Sequence, residues 1–175
     1  MKFIYLIIFL YFNLLSSTIL AQNIATVNLQ YLIDSNSQYI EIIKKIENSQ
    51  IKYLESFDLK EQELENILKD IENSKLILNE NEINTKIENY NQQLKNFNDI
   101  VDDFNFHYKN QIINIRESIL MEIVALLEKY AMENQIDLIL DSTSYLIASN
   151  TLDISETIKN ELLKIKFQLE YKDFE

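Results

Sequence analysis

The chain has 175 residues with a formal net charge of −12, from 28 acidic and 16 basic side chains, and it contains no Gly, Pro or Cys. Without Gly it cannot form the glycine-rich loops that hold nucleotide phosphates, and without Cys it has neither disulfides nor thiol chemistry. The acidic charge argues against nucleic acid as a partner, because each phosphate contact requires a Lys or Arg.

Residues 1–21 are typical of an export signal. Lys2 precedes the apolar run FIYLIIFLYFNLL, and SSTILAQ supplies small residues for cleavage, which we place after Ala21. The alternative is an uncleaved anchor, Phe3 to Ala21, but its continuous apolar core is shorter than the roughly 20 residues that span a bilayer. After cleavage, 15 basic and 28 acidic residues remain, a formal charge of −13, and no stable membrane insertion is expected.

Strand-like sequence flanks a long helical middle. Ile24 to Leu29 precedes this middle and Ile136 to Ser149 follows it, and no residue between them breaks a helix. The sequence therefore predicts an α+β fold, predominantly α, with residues 22–175 as one domain. A long antiparallel coiled-coil helical hairpin, residues 35–130, would protrude as an arm from a small β-body with a C-terminal helix, residues 22–34 and 131–175.

Two apolar stripes with helical period run through the arm. The first lies in a helix predicted from Ser35 to Leu78, with polar Gln50 and Lys60 at seam positions; in the second, steps of three and four alternate, which keeps the stripe on one face. Between them LNENEIN, Leu78 to Asn84, is the predicted tip. The stripes comprise Ile43, Ile46, Tyr53, Phe57, Leu64, Ile67, Ile71 and Leu78, then Ile83, Ile87, Tyr90, Leu94, Phe97, Val101, Phe104, Tyr108, Ile112, Ile115, Ile119, Ile123, Leu126 and Tyr130.

Several apolar residues lie off these stripes, and two interpretations stay open. They either widen the buried stripe or face outward as a diffuse contact surface for another polypeptide. The residues are Ile40, Ile51, Ile100, Phe106 and Ile113.

The body is predicted from the sequence after Tyr130. Ile136 to Leu140 and Tyr145 to Ala148 are short apolar runs separated by DSTS, which suggests a β-hairpin. A last helix then begins at a capping box of Asp153 and Glu156. Its predicted apolar face comprises Ile154, Ile158, Leu162, Ile165 and Leu169.

A body of this size buries little apolar surface within one chain. Three short strands and one helix are marginal alone, and small units without disulfides or metals usually rely on partners. We therefore expect a homo-oligomer held by its body. The candidate oligomerisation residues are Ile24, Val27, Ile136, Leu138, Leu140, Tyr145 and Ile147.

Two segments carry a family resemblance. IATVNLQYLI, residues 24–33, resembles the opening strand of the Skp (OmpH-like) family of periplasmic chaperones, commonly Ile-Ala-x-Val-Asp-x-Gln. IDLILDSTSYLIASNTLDIS, residues 136–155, resembles the family's Asp-Leu-Val-Leu-Asp segment, Tyr-Ala strand and Asp-Ile-Thr helix entry. Asn28 stands where the family often has Asp, Gln135 occupies the place of a common Gly, and well-known members are basic rather than acidic.

The resemblance implies a homotrimer in which strands from three chains close a β-body and three helical hairpins surround a cavity. It also implies an ATP-independent periplasmic holdase that keeps unfolded outer-membrane proteins from aggregating on their way to the outer membrane. On this interpretation Ile100, Phe106 and Ile113 are candidate client-binding residues.

The sequence offers little catalytic chemistry. His107 is the only histidine, and with no Cys or second His to complete a site it is expected to be solvated or to flank the seam. We assign no catalytic, cofactor-binding or metal-binding residues and expect no enzyme. The alternative function is that of a periplasmic coiled-coil structural or adaptor protein with one defined partner.

Overall fold

The computed structural model describes residues 22–175, and the predicted export signal lies outside them. The described chain is predominantly helical with one small pair of strands, which confirms the predicted α+β class. Its elements in chain order are β1 (Ile24–Val27), α1 (Leu29–Asp34), α2 (Ser37–Ser74), α3 (Glu80–Asn134), β2 (Leu138–Asp141) and α4 (Ser155–Leu162).

The helices α2 and α3 pack side by side and run in opposite directions. Near the turn Lys86 Nζ lies 2.5 Å from Asp70 Oδ2. Farther along, the ring of Phe57 meets that of Phe97 at 5.8 Å between centroids. Positions therefore rise along α3 as they fall along α2, so each helix covers the apolar stripe of the other.

The turn between α2 and α3 comes earlier than predicted. Residues 75–78 form it, and α3 begins at Glu80, so most of the predicted tip is helical. Asn79 and Glu82 form a capping box: the Asn79 side chain accepts from the Glu82 amide, and the Glu82 carboxylate accepts from the Asn79 amide. This reciprocal cap satisfies two free amides and starts the helix within the polar run.

Every residue of the second apolar stripe is buried or half-buried, as its period predicted. Toward the C-terminal end of α3, Leu127 is buried and Leu126 only half-buried, although the predicted stripe passes through Leu126. The buried residues of α3 are Phe97, Phe104, Tyr108, Ile115, Ile119, Ile123 and Leu127.

The strand β1 pairs with β2 in parallel, in a register from Ile24 opposite Leu138 to Val27 opposite Asp141. The predicted β-hairpin is therefore wrong, since Tyr145 to Ala148 forms no strand in the described chain. Asp141 ends β2: its carboxylate accepts from the Thr143 amide at the start of a 3₁₀ turn.

A short helix, α1, follows β1, where the sequence had predicted strand up to Leu29. Asn28 caps α1 by accepting a hydrogen bond from the Tyr31 amide at 2.9 Å, and Asp141 Oδ1 accepts from the Leu29 amide at 3.1 Å. Burial opposes ionisation of Asp141, but hydrogen bonds from Thr143 and from the Leu29 amide outweigh it and hold the pKa of Asp141 below its ordinary value. Asp141 thus ties the end of β2 to the start of α1.

The last helix differs from its prediction at both ends. Asp153 accepts from the Ser155 amide at 2.8 Å, but Glu156 does not complete a capping box and instead accepts from the Tyr31 hydroxyl at 2.5 Å. The helix ends at Leu162, well before Leu169. Residues 165–175, which we call the C-terminal tail, continue without helix or strand and pack against α2 and α3.

Gln135 caps the C-terminal end of α3, and its own backbone is in the left-handed region, with φ 54° and ψ 43°. This position matches the common Gly noted from the sequence, because Gly adopts such a conformation without steric cost.

We expect Gln135→Gly to raise the free energy of unfolding by up to about 1 kcal/mol, the relief of strain being partly offset by a more flexible unfolded chain. Gln135→Val should lower it, because a β-branched residue fits this region poorly. Urea titration measures the free energy of unfolding of each variant. A Gly variant that is less stable than the Val variant would contradict this prediction.

Candidate functional site

The structure places all five off-stripe apolar residues at the surface of the single chain. The exposed fractions of the three candidate client-binding side chains are 47% for Ile100, 68% for Phe106 and 40% for Ile113. Ile40 and Ile51 are also exposed. Of the two interpretations, outward-facing apolar surface is therefore the one that the described chain supports, while a role in binding stays a prediction.

Sequence reasoning missed further exposed apolar side chains on the same helices. They lie one or two positions beside the predicted stripes or in the turn, so a helical-wheel plot of each helix would have separated the helical ones from the seam. They are Leu54, Leu59, Leu68, Leu76, Ile77, Met121, Val124 and Met132. Isolated exposed apolar residues are ordinary, but a series of them along one pair of helices supplies apolar area that a binding partner could cover.

A shallow groove between α2 and α3 brings part of this surface together. It encloses about 330 Å³, and its apolar lining comes from Phe57, Phe97 and Ile100. Lys60 and Gln93 form its polar rim. Ile100 is the one candidate client-binding residue that this groove contains, whereas Phe106 and Ile113 lie farther along α3.

Some of the charged residues of the helices form exposed ion pairs. Lys45 with Glu41 and Lys69 with Glu65 are exposed pairs four residues apart on one helix face. A hydrogen bond from Lys45 lowers the pKa of Glu41 from its ordinary value. Exposed pairs contribute little to stability, so these charges serve mainly to keep the helix pair soluble.

His107 is held in a structural contact. Its Nε2 atom lies 2.9 Å from the carbonyl oxygen of Lys172 in the C-terminal tail and 2.8 Å from the Gln111 amide nitrogen. Its ring packs edge-on against Tyr108. Among residues 22–175, no group of three or more His, Cys, Asp or Glu side chains is placed to hold a metal ion.

The candidate oligomerisation residues divide by exposure. Val27 is buried inside the chain, whereas Leu138 is 47% and Ile147 91% exposed, beside a fully exposed Leu146. The remaining members, Ile24, Ile136, Leu140 and Tyr145, are half-buried.

Of these exposed residues, Leu138 lies on β2, and Leu146 and Ile147 follow that strand in the chain. Within the described chain the outer edge of β2 pairs with no other strand. Parallel strands are normally covered on both faces, and an open edge is a template for pairing with another chain. The open edge of β2, which carries the exposed Leu138, is therefore a surface that a strand of another chain could extend.

No helix among residues 22–175 is long and apolar enough to cross a membrane.

Comparisons with known proteins agree with this architecture. The model of a family described as outer membrane protein (OmpH-like) matches residues 23–162. A crystal structure from Caulobacter crescentus CB15, described as an OmpH-like outer membrane chaperone, superposes with a TM-score of 0.66, covering 87% of this chain and 93% of that chain at 10% sequence identity. At that identity the superposition establishes the fold alone. No curated protein matches the chain significantly.

Proposed function

Because the chain belongs to the OmpH-like outer membrane protein family, we propose that it is an ATP-independent periplasmic holdase. It binds unfolded outer-membrane proteins and prevents their aggregation during transit to the outer membrane. Membership of the family, which matches 23–162, supports the chaperone role.

The observation that carries the proposal is the exposed apolar surface along α2 and α3. An unfolded client has no fixed shape, so many weak contacts distributed over a long surface suit it better than a sculpted pocket. Leu59 and Phe106, at 67% and 68% exposed, are typical of these contacts. The two helices form an arm that protrudes from the body, with residues 22–34 and 131–175 as the body and 35–130 as the arm.

The working unit is a homotrimer closed through the body. The open edge of β2 and the exposed Leu138, Leu146 and Ile147 support this arrangement, since one chain leaves them uncovered. Three arms then surround a cavity that receives the client. Residues 1–21 are removed on export, and the mature chain works in the periplasm without stable insertion in the membrane.

Aggregation assays with several unrelated clients test the proposal. Denatured outer-membrane proteins are diluted from urea into buffer with and without the purified chain from Gln22, in the absence of nucleotide, and light scattering is followed. Scattering should fall for all of them at a similar ratio of chaperone to client. Suppression of a single client only would favour an adaptor with one defined partner, and no suppression would refute the holdase.

A further inference from the structure

The C-terminal tail has the side-chain pattern of a β-strand although it pairs with no strand. Its residues alternate between half-buried and exposed as they pass along the helix pair, which is the period of an extended chain. The half-buried residues are Ile165, Phe167, Leu169 and Tyr171, and the exposed ones between and after them are Lys166, Gln168, Glu170 and Lys172. The chain is therefore extended along the helix pair beyond the end of α4 at Leu162.

Glutamine side chains of the helix pair bind the main chain of the tail. Gln38 on α2 donates to the Ile165 carbonyl at 2.9 Å and accepts from the Phe167 amide at 3.0 Å. Gln111 on α3 donates to the Lys172 carbonyl at 2.8 Å and accepts from the Lys172 amide at 2.5 Å. Contact with both groups of one residue is how a neighbouring antiparallel strand pairs, so Gln111 takes the place of a strand residue.

The far end of the tail enters an aromatic pocket. The ring of Phe174 lies with its centroid 5.6 Å from those of Tyr53 and Phe104, edge-on to both. The Tyr53 hydroxyl donates to the Phe174 carbonyl, and the Phe174 amide donates to the Tyr108 hydroxyl at 3.3 Å. Here again the polar contacts reach the main chain, while the side chain supplies only apolar bulk.

The hydrogen bonds to the main chain of the tail do not depend on the identity of its side chains, whereas the Phe174 ring and the Asp173 carboxylate, which accepts from Ser49, add contacts of their own. In the described chain, the hydrogen bonds to the main chain of residues 166–175 come from side chains of α2 and α3. An open cleft of about 410 Å³ lies between the tail and α3, lined in part by Asn114, Ser118 and Glu170. The tail also lies beyond the family match, which ends at residue 162. Another extended segment with alternating apolar residues could make the same contacts.

We propose that the groove occupied by the tail is a docking site for one extended strand segment of a client, and that the tail is an intramolecular stand-in which the client displaces. The inference rests on the proposed holdase function. Transmembrane β-strands alternate apolar and polar residues over roughly 9–11 residues, which matches the length and period of the tail. Main-chain hydrogen bonds give the groove affinity for any such strand, and the aromatic pocket receives an apolar side chain.

A reversible lock on the tail tests the site in the full chain. Ser49 Oγ donates to Asp173 Oδ1, so Ser49→Cys with Asp173→Cys places the only two thiols of the protein side by side. The probe is a fluorescent peptide with the sequence of residues 164–175, measured by anisotropy. Oxidation should weaken peptide binding at least tenfold, and reduction should restore it. Equal binding in both states, or a pair that fails to oxidise, would overturn the proposal.

A second variant loosens the tail. Phe167→Ser, Tyr171→Ser and Phe174→Ser remove its three half-buried aromatic side chains and should tighten peptide binding about tenfold, because the competing occupant is weakened. The matched control, Lys166→Ser, Gln168→Ser and Glu170→Ser, changes exposed neighbours and should leave binding as in the natural chain. No gain in the loosened variant with helicity intact would also overturn the proposal. If the helicity of the loosened variant falls, the oxidised and reduced disulfide variant is the test of the docking site.

The probe separates this inference from the holdase proposal. A peptide copied from a transmembrane strand of an outer-membrane protein should compete with the tail peptide, whereas a peptide of equal composition with its apolar residues in one block should not. Failure of the strand peptide to compete would overturn the assignment of the groove to client strands. If both peptides behave as expected while neither the oxidised nor the reduced chain suppresses aggregation, the groove is a strand-binding site and the proposed holdase function is wrong.

Discussion

Replacing Leu138, Leu146 and Ile147 with Asp is expected to convert the proposed trimer into monomers. In the proposed assembly these exposed side chains are covered by neighbouring chains. Losing three apolar contacts of about 1.5 kcal/mol each weakens association by roughly a thousandfold, and three carboxylates at the interface weaken it further. Light scattering coupled to size-exclusion chromatography should report one third of the natural mass, with helicity retained because α2 and α3 contact each other within one chain.

The control for this prediction places the same charges elsewhere. Leu59, Leu76 and Ile77 are at least as exposed as Leu138 but lie on the helix pair and its turn, away from the body. Their Asp variants should remain trimeric. A natural chain that is already monomeric at micromolar concentration would refute the trimer, and a monomeric control variant would move the interface from the body to the helices.

Replacing Ile100, Phe106 and Ile113 with Ser is expected to weaken client binding roughly thirtyfold while the trimer stays intact. Each side chain is partly exposed in the single chain and should contribute about 0.7 kcal/mol by further burial against a client, which sums to about 2 kcal/mol. Affinity for an unfolded outer-membrane protein, from fluorescence titration, measures the effect. Aggregation suppression should then require a higher ratio of chaperone to client.

The matched control changes exposed amides on the same helix. Asn91→Ser, Asn98→Ser and Asn105→Ser alter α3 at exposed positions without removing apolar surface, and should bind clients like the natural chain. Full activity in the apolar triple variant with unchanged helicity would exclude these residues from the contact surface.

Salt gives an independent measure of the same contact. The acidic helices are expected to hold clients mainly through apolar burial, which screening leaves intact, so affinity should change little as salt rises from about 0.05 to about 0.5 M. A steep loss of binding with salt would show that charge, not apolar surface, holds the client.

The sequence alone determined the elements whose signal is local. The helical period of the second stripe predicted the buried face of α3, and Phe104, Tyr108 and Ile119 are buried as expected. IATVNLQYLI and IDLILDSTSYLIASNTLDIS sufficed to predict the family, because their order and spacing are specific where the helices are not. The sequence also predicted the small strand-bearing segments on either side of the helices, and β1 and β2 lie within them.

Only the tertiary structure decided which partner each short segment takes. The apolar runs around DSTS suggested a hairpin, but the pairing of β2 with distant β1 and the hydrogen bonds of Asp141 end the strand there. Pairing between segments more than a hundred residues apart leaves no periodic trace in either one.

The C-terminal tail shows the same limit most clearly. Ile165 and Leu169 are four residues apart and fit a helix face, while Phe167 and Tyr171 between and after them fit a strand face equally well. The groove occupied by the tail resolves the ambiguity, because Gln38 and Gln111 form hydrogen bonds with the main chain in its extended form. The exposure of Ile100, Phe106 and Ile113 was likewise fixed only by the packing of α2 against α3. A residue beside a stripe is buried or exposed according to how much of the helix surface the neighbouring helix covers.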